Sequence, residues 1–286
     1  MSRVTVRIPV TRYRDGAFHR RPDTVAGEEP LEIRIGGEPF TTTMRTPGAD
    51  IELVHGLLHA EGVITGPQDV RSARYCSGVG PDGLNTYNVI EVGLADSAAA
   101  GQVRPRHRVT TSACGVCGAE SIEAITRAGR YVPGDVVLTP STVQALPDRL
   151  RAQQRAFRTT GGVHAAALAD ADGLVELVRE DVGRHNAMDK VIGAALLAGR
   201  LPLADRVLVT SSRASFELVQ KAVLAGVGML VAVSAPSSLA VQLARASGLT
   251  LVGFTSASGF NVYSEPGRIV GSTDPDGSGT PPELDR

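Results

Sequence analysis

The sequence holds 286 residues, of which 42% are hydrophobic and 21% charged, and its formal net charge is −1. This balance is typical of a globular protein of one large or two ordinary domains. The near-neutral charge gives no overall electrostatic case for binding nucleic acid or a membrane surface. No apolar run reaches the ~18 residues of a membrane helix, the N-terminus lacks a signal-peptide pattern, and three cysteines make no disulfide framework. We therefore expect a cytoplasmic protein.

The N-terminal part of the chain, up to about residue 110, alternates short apolar runs with turn residues. Its pattern predicts strands at Val4–Ile8, Leu31–Ile35 and Thr86–Val92, with a hairpin turn at Gly36-Gly37. One helix is expected at Asp50–Ala60, with Asp50 as its N-cap. Short strands with a single helix indicate a small α+β domain.

The middle of the chain is predicted to be helical at Ala119–Ala128 and, after Pro140, at Ser141–Ala156. From about residue 160 the pattern changes to apolar strands that alternate with helices. The strands are expected at Val163–Leu168, Leu174–Arg179, Arg206–Thr210, Met229–Val233 and Thr250–Phe254, and the helices at Asn186–Ala198, Ala214–Ala225 and Ser238–Ala246.

This alternation predicts an α/β domain with a mostly parallel sheet covered on both faces. On the helix at Ala214–Ala225, Glu217 and Lys221 are spaced to form an i,i+4 ion pair. The last residues are rich in Gly, Pro, Ser and Asp, so a disordered tail is expected at 271–286.

The sequence Cys114-Gly-Val-Cys117-Gly contains two of the three cysteines. The pair lies before a predicted helix and after the basic run Arg104–Arg108, a setting that lowers thiol pKa values. A structural zinc site would need two further ligands, usually another Cys or His pair, and no second Cys-x-x-Cys is present. Zinc, a redox dithiol and covalent sulfur chemistry are the three interpretations, and the last is favoured.

Four histidines require a choice between a structural and a chemical role. His55 and His59 lie at i,i+4, but no Glu stands between them as in zinc proteases, so an amphipathic helix explains them better than a metal site. His164 follows Gly161-Gly162 and lacks the Glu two positions on that zinc deaminases carry. It is either a core histidine or an acid/base or ligand-positioning group, and His185 has similar weight.

Small polar residues follow each predicted strand of the sheet. In open α/β sheets ligands bind at the carboxyl ends of the strands, where helix N-termini offer free N–H groups to phosphates. These residues are also typical of ordinary caps and turns. Their convergence on one edge favours an anionic, nucleotide-like ligand, which Arg184 and Arg213 could neutralise. The segments are Asp181–Asn186, Thr210–Arg213, Ser234–Ser238 and Thr255–Gly259.

Several long motifs together resemble the FdhD family of sulfur carriers, or sulfurtransferases, which activate formate dehydrogenase. The resemblance spans about residues 5–270. The motifs are Arg45–Gly48, Ser112–Gly118, Thr160–His164, Glu180–Lys190, Ser212–Lys221 and Val233–Val241.

The resemblance implies an N-terminal α+β domain at 1–140, which ends in the Cys-x-x-Cys loop and its following helix, and a cytidine-deaminase-like α/β domain at 141–270 without deaminase metal chemistry. It implies a homodimer that takes persulfide sulfur from a cysteine desulfurase and delivers it to a molybdenum cofactor carrying two molybdopterin guanine dinucleotides. Cys114 would bear the persulfide, with Cys117 as its companion. The cofactor's guanine ends would bind at Phe254, Thr255, Ser256, Ala257, Ser258 and Gly259, with Arg213, His164 and His185 nearby, and no resident metal is expected.

Overall fold

The computed structural model describes residues 4–76, 78, 86–95, 122 and 131–271. Within these residues, twelve strands form a two-stranded ribbon, a four-stranded small sheet and a six-stranded large sheet. The Cys114–Cys117 loop, the tail after Gly271 and all of the helix expected at Ala119–Ala128 except Ile122 lie outside the described residues.

The ribbon pairs β1 (Thr5–Arg14) with β2 (Ala17–Ala26) in antiparallel register. Its turn is Asp15-Gly16, and both residues have positive φ, 52° and 80°. Two left-handed residues make a type I′ turn, whose twist matches that of the strands it joins. The ribbon is therefore a regular hairpin, much longer than the strand predicted at Val4–Ile8.

The small sheet consists of β3 (Glu29–Ile35), β4 (Glu38–Arg45), β5 (Val70–Tyr75) and β6 (Val89–Leu94), in the order β4-β3-β6-β5. The predicted turn at Gly36-Gly37 is confirmed, and β6 begins at Val89 rather than Thr86. Helix α1 (Asp50–Ala60) covers one face, and the core between them includes Leu31, Ile33, Phe40, Leu53, Leu58 and Ile90.

Asp50 is not the N-cap of α1, so that prediction was wrong. The cap is Ala49, which takes the left-handed conformation at φ 55°. Asp50 is instead the first helical residue. Its carboxylate accepts bonds from the Gly48 amide at 3.1 Å and from the Arg45 guanidinium at 2.9 Å. A fully buried arginine needs a charged partner, and this need overrides capping.

The large sheet has the order β12-β11-β10-β9-β7-β8. Its centre is parallel as predicted, through β9, β10 and β11, but its flanks are antiparallel, so the sheet is mixed rather than mostly parallel. The reason is that tight turns join β7 to β8 and β11 to β12, and a short connection permits only antiparallel pairing. The strands are β7 (His164–Ala169), β8 (Val175–Asp181), β9 (Val207–Thr210), β10 (Met229–Ala232), β11 (Thr250–Ser256) and β12 (Gly259–Ser264).

Helices cover both faces of the large sheet. On one side α4 (Arg184–Leu197), α5 (Phe216–Leu224) and α6 (Ser238–Ala246) bury one core, and on the other α2 (Pro140–Gln153) buries a second. The helix predicted at Ser141–Ala156 is divided at Gln154, after which a short α3 (Arg155–Thr160) begins. Alternate residues of β9 point to opposite cores, as Leu208 and Val209 show.

The two sheets are joined through α1 and α4, which cross at glycines. A Cβ at Gly56 would overlap the Asp189 carbonyl, and a Cβ at Gly193 would overlap the Glu52 carbonyl. Close backbone approach is thus possible only because both residues lack side chains. Arg179 on β8 also donates to Glu52 on α1 at 2.7 Å, so α1 is bonded directly to the large sheet as well as packed against α4.

Candidate functional site at the polar edge of the large sheet

Polar residues gather where β8, β9, β10 and β11 end and β7 begins. We call this region the polar edge and define it as His164, Asp181–Asn186, Thr210–Ser215, Ser234–Ser238 and Phe254–Gly259. The antiparallel β7 contributes its first residue because it runs opposite to β9. The structure therefore brings together the described site residues that the sequence predicted.

Ser211 fixes the start of β7 to the end of β9. Its amide donates to the Ala165 carbonyl at 3.0 Å, and its hydroxyl accepts from the Ala165 amide at 2.9 Å. His164 is the residue just before Ala165, so these two bonds also hold His164 at the edge.

The loops after β9, β10 and β11 are also bonded to one another. The Ala214 amide donates to the Ala235 carbonyl at 3.2 Å, and the Phe254 amide donates to the Ser234 carbonyl at 3.2 Å. Ser237 then donates from its amide to Ala214 at 3.0 Å. Because these bonds link loops that are distant in sequence, the edge is a rigid surface rather than a set of independent loops.

Three helices start at the polar edge. Ser237 caps α6 by accepting the Ala240 amide at 3.3 Å. By contrast, Gly183 before α4 and Ser215 before α5 make no side-chain cap bond. At α5 the Glu217 carboxylate accepts its own backbone N–H, so an anionic group already occupies that helix start. An uncapped helix N-terminus presents free N–H groups and a partial positive charge, so the start of α4 is the one that favours an external anion.

Two buried polar atoms at the edge have no hydrogen-bond partner among the described residues, Arg184 Nε and Thr255 Oγ1. Thr255 is 2% exposed. Buried polar atoms are normally satisfied, and one that is not requires an explanation such as an absent ligand. Arg213 is exposed at the same edge. The edge therefore combines cationic groups with unused hydrogen-bonding capacity.

His164 and His185 differ in their surroundings. Burial, followed by the charge of Arg184 and the neighbouring His185, lowers the pKa of His164, so its imidazole is neutral at pH 7. His185 Nε2 lies 3.4 Å from Ser215 Oγ and 3.7 Å from Glu217 Oε2. The hydrogen bond from His185 lowers the pKa of Glu217 to about 2, although burial of the carboxylate acts to raise it.

Asp181 and Asn186 connect the polar edge to a buried ionic network. Asp181 pairs with Lys190 at 2.7 Å and accepts the Thr46 amide at 3.1 Å, while Lys190 donates to the Thr46 carbonyl at 2.8 Å. Asn186 closes the network by donating to Met44 at 2.7 Å. Burial raises the pKa of Asp181, and Lys190 opposes that rise. Sequence reasoning missed this network, although both of its motifs, Arg45–Gly48 and Glu180–Lys190, had been found.

Lys221 does not pair with Glu217, so the predicted i,i+4 ion pair was wrong. Lys221 bonds to the buried Asp189 of α4 at 2.6 Å instead. The buried carboxylate needs a counter-charge more than the half-exposed Glu217 does. Glu217 is left to interact with His185, and thus α5 is tied to α4 at two points.

The predicted guanine segment, Phe254–Gly259, forms the end of β11, the turn and the first residue of β12. Phe254 has a positive φ of 53° and is 51% exposed. At the tip, Ser256 Oγ lies 2.9 Å from Ser258 Oγ. The segment is thus the β11–β12 hairpin turn within the polar edge.

His55, His59 and Cys76 are not part of the polar edge. His55 and His59 are buried on α1, with ring nitrogens 2.7 Å from the Ile51 carbonyl and 3.1 Å from the Leu224 carbonyl. Cys76 is half-buried in the small sheet's region, while Cys114 and Cys117 lie outside the described residues. In the described part of the chain, no group of three His, Cys, Asp or Glu side chains is placed to hold a metal ion.

A model of the FdhD/NarQ family matches residues 26–270, which include every residue of the polar edge. The chain belongs to the FdhD/NarQ family. Among FdhD/NarQ relatives, the sulfur carrier protein FdhD of Mycolicibacterium paratuberculosis is 53% identical over 93% of this chain and 99% of that protein. The protein of the same name from Streptomyces coelicolor is 52% identical over 94% of this chain and 97% of that protein.

A solved structure supports the same FdhD/NarQ assignment. It is a protein from Desulfotalea psychrophila assigned as a formate dehydrogenase accessory protein, with a TM-score of 0.72 and 25% identity, and it covers 94% of this chain and all of that one. Within the described residues of this FdhD/NarQ chain, no helix has the length and apolar character needed to cross a membrane.

Proposed function

We propose that this chain is a cytoplasmic sulfur carrier that receives sulfur from a cysteine desulfurase and delivers it to the bis(molybdopterin guanine dinucleotide) molybdenum cofactor of formate dehydrogenase. The observation that carries the proposal is the 53% identity to a sulfur carrier protein FdhD over nearly the full length of both chains. The protein acts as a sulfurtransferase with a persulfide intermediate, and it works as a homodimer.

The chemistry rests on the Cys114-Gly-Val-Cys117 sequence. The Cys114 thiolate attacks the outer sulfur of the desulfurase persulfide. The sulfur–sulfur bond of the donor breaks, and the donor cysteine leaves as a thiolate. Cys114 then carries one additional sulfur atom. The Cys117 thiolate then attacks the inner sulfur, which is the Cys114 Sγ atom. The outer sulfur leaves as hydrosulfide, and a Cys114–Cys117 disulfide remains. A thiol reductant reduces this disulfide and so restores the two thiols.

The polar edge binds the molybdenum cofactor in this proposal. Free N–H groups at the start of α4 suit the phosphates of a guanine dinucleotide. Arg213 and Arg184 neutralise phosphate charge, and Thr255 Oγ1 is an unused hydrogen-bonding group of the same edge. The neutral His164 can accept or donate a hydrogen bond without adding charge. The molybdenum cofactor is a substrate in this scheme.

Guanosine diphosphate is a direct probe of the polar edge. We expect calorimetric binding that weakens about tenfold in an Arg213→Ala variant, since one charge-assisted bond is lost. The exposed Arg74 on β5 offers a matched control, and Arg74→Ala should bind normally. Equal affinities for all three proteins would remove Arg213 from the site.

The function itself is tested by complementation of a strain that lacks its own copy of this protein. The wild-type chain should restore formate dehydrogenase activity, and Cys114→Ala should not, while immunoblotting shows equal amounts of both proteins. Full activity with the Cys114→Ala variant would contradict the sulfur-carrier role.

A second candidate is a molybdenum-cofactor chaperone that binds and delivers without sulfur chemistry. The polar edge favours it, because the residues that define that edge include no thiol. A chaperone needs the edge but not the cysteines. Restored formate dehydrogenase activity from a Cys114→Ser/Cys117→Ser variant, with loss of activity in Arg213→Ala, would select this alternative.

A further inference from the structure

The β1–β2 ribbon is far more exposed than any other pair of strands in the described residues. Ten residues per strand extend it by ~34 Å. Tyr13 and Phe18 face each other near its tip, with ring centroids 5.0 Å apart and exposures of 64% and 75%. A two-stranded ribbon has little stability of its own in water, so exposed aromatic rings at its tip indicate an interaction surface.

The prolines of the ribbon show which kind of interaction it permits. Pro9 lies directly opposite Pro22. Counting outward from the Arg14–Ala17 pair at the turn, this is a non-hydrogen-bonded position, where backbone N–H groups would point away from the ribbon. The two prolines therefore remove an outward donor from each edge at the same level. Such edges resist strand addition, so a partner must bind through side chains.

The charge of the ribbon is opposite to that of the rest of the molecule. The ribbon has a formal charge of +3, because it contains five arginines and two aspartates. These residues are Arg7, Arg12, Arg14, Arg20, Arg21, Asp15 and Asp23. The whole chain carries −1, so the remainder carries −4. Of these arginines, Arg14 lies 3.5 Å from Asp15. The basic residues occur on both faces of the ribbon, since Arg7 and Arg20 share one face and Arg12 and Arg21 the other.

The base of the ribbon lies next to the polar edge. The Cβ of Ala26 is 3.5 Å from where a Cβ of Gly162 would lie, two residues before His164. Glu180 caps α3 by accepting the Ala156 and Phe157 amides at 2.8 Å, and α3 leads directly into Gly161-Gly162. The base of the ribbon is thus fixed beside the polar edge, and its aromatic tip lies at the other end of the two strands.

We propose that the ribbon is a docking arm for a protein partner that presents an acidic surface around an apolar pocket, with the Tyr13–Phe18 pair in the pocket and the arginines around it. Aromatic and arginine side chains dominate the binding energy of protein interfaces. The −4 charge on the rest of the chain disfavours the alternative of a nucleic acid. The inference rests on the proposed function in one respect, because that function names the two proteins to test.

The test measures binding to the purified cysteine desulfurase and the purified formate dehydrogenase of the same organism, at low and at high salt. Two ribbon variants are compared with wild type, Arg12→Glu/Arg20→Glu and Tyr13→Ser/Phe18→Ser. The matched control is Arg71→Glu/Arg74→Glu on β5, an exposed pair that changes the net charge equally. All four residues of the ribbon variants are exposed, so circular dichroism should show an unchanged fold.

We expect at least one of the two proteins to bind wild type, and both ribbon variants to weaken that binding about tenfold or more. The effect of charge reversal should shrink at high salt, while the control binds like wild type. Binding of neither protein, or equal binding by wild type and ribbon variants, would overturn the proposal. So would ribbon-dependent binding of a short DNA duplex or RNA strand in place of a protein. Sulfur loading of wild type, read separately by mass, reports on the proposed function and not on the ribbon.

Discussion

Asp181 and Lys190 hold the backbone of the polar edge in place from behind. Both side chains are almost completely buried, and both bond to Thr46, which directly follows β4 of the small sheet. A buried ion pair adds little net stability by itself, but the loss of one partner leaves an uncompensated charge. The contacts of the pair therefore give it a structural role at the site.

Replacement of Lys190 by methionine should lower the free energy of unfolding by about 3–5 kcal/mol, because Asp181 loses its counter-charge. Urea denaturation followed by circular dichroism measures the change. An Arg200→Ala control breaks a surface pair with Glu176 and should cost about 1 kcal/mol or less. Equal losses in the two variants would show that the buried pair has no special role.

His164 should titrate below its ordinary pKa of 6.5, since burial and then Arg184 disfavour its charged form. A histidine whose pKa is depressed by folding stabilises the protein above pH 6.5, and this contribution is lost as the pH falls through the depressed pKa. The Cε1 proton resonance gives the midpoint. Arg184→Gln should raise it, Arg245→Gln should not, and a wild-type midpoint at or above 6.5 would refute the assignment.

At the residue scale, the motifs were located from the sequence, but which of their side chains are buried and which face the polar edge was not predicted. Within the Glu180–Lys190 motif, three buried side chains bond to Met44 or Thr46, namely Asp181, Asn186 and Lys190. His185 of the same motif contacts Ser215 at the start of α5 instead. Partners more than a hundred residues away leave no local pattern in the sequence. Lys221 was likewise assigned to Glu217 because its real partner, Asp189, lies on another helix and is not visible in the local pattern.

At the scale of elements, the crossing of α1 and α4 determines how the two sheets meet. Its closeness depends on Gly56 and Gly193, whose missing side chains let the helix backbones touch. Glycine inside a helix normally costs about 1 kcal/mol relative to alanine. Its presence at both contact positions indicates that close packing outweighs this cost.

Gly193→Ala should therefore destabilise the protein by about 1–3 kcal/mol or more, despite the better helix propensity of alanine, because the new Cβ overlaps the Glu52 carbonyl. Differential scanning calorimetry provides the comparison. Gly267→Ala is a suitable control, since nothing lies within 4 Å of a Cβ at that position. A Gly193→Ala variant as stable as wild type would refute the tight crossing.

The strands and helices of the large sheet were predicted well, because apolar runs and helical periodicity are local signals. Strand direction was predicted less well. The flanking hairpins at Asp170–Leu174 and Ser256–Gly259 were not recognised, so the sheet was expected to be mostly parallel. The break at Gln154 and the cap at Ala49 also depended on tertiary contacts that no short pattern encodes.

At the scale of the whole molecule, one edge of the large sheet collects the residues that we propose bind the ligand, and the ribbon begins beside it. The family was found from the sequence because several long motifs occur in the family's order, and the FdhD/NarQ match confirms it. The roles of Cys114 and Cys117 stay predictions, as do the individual contacts of Phe254–Gly259. The boundary expected between residues 140 and 141 also stays a prediction, although Val136 and Leu138 pack in the core of the large sheet.

The central claim is that Cys114 receives sulfur. The most direct measurement is the intact mass of the protein after incubation with a cysteine desulfurase and cysteine, before and after treatment with a reductant. We predict that wild type gains the mass of one sulfur atom, that the reductant removes it, and that Cys114→Ala gains none while Cys76→Ala is loaded like wild type. No added sulfur on wild type, or equal loading of the Cys114→Ala variant, would contradict the account.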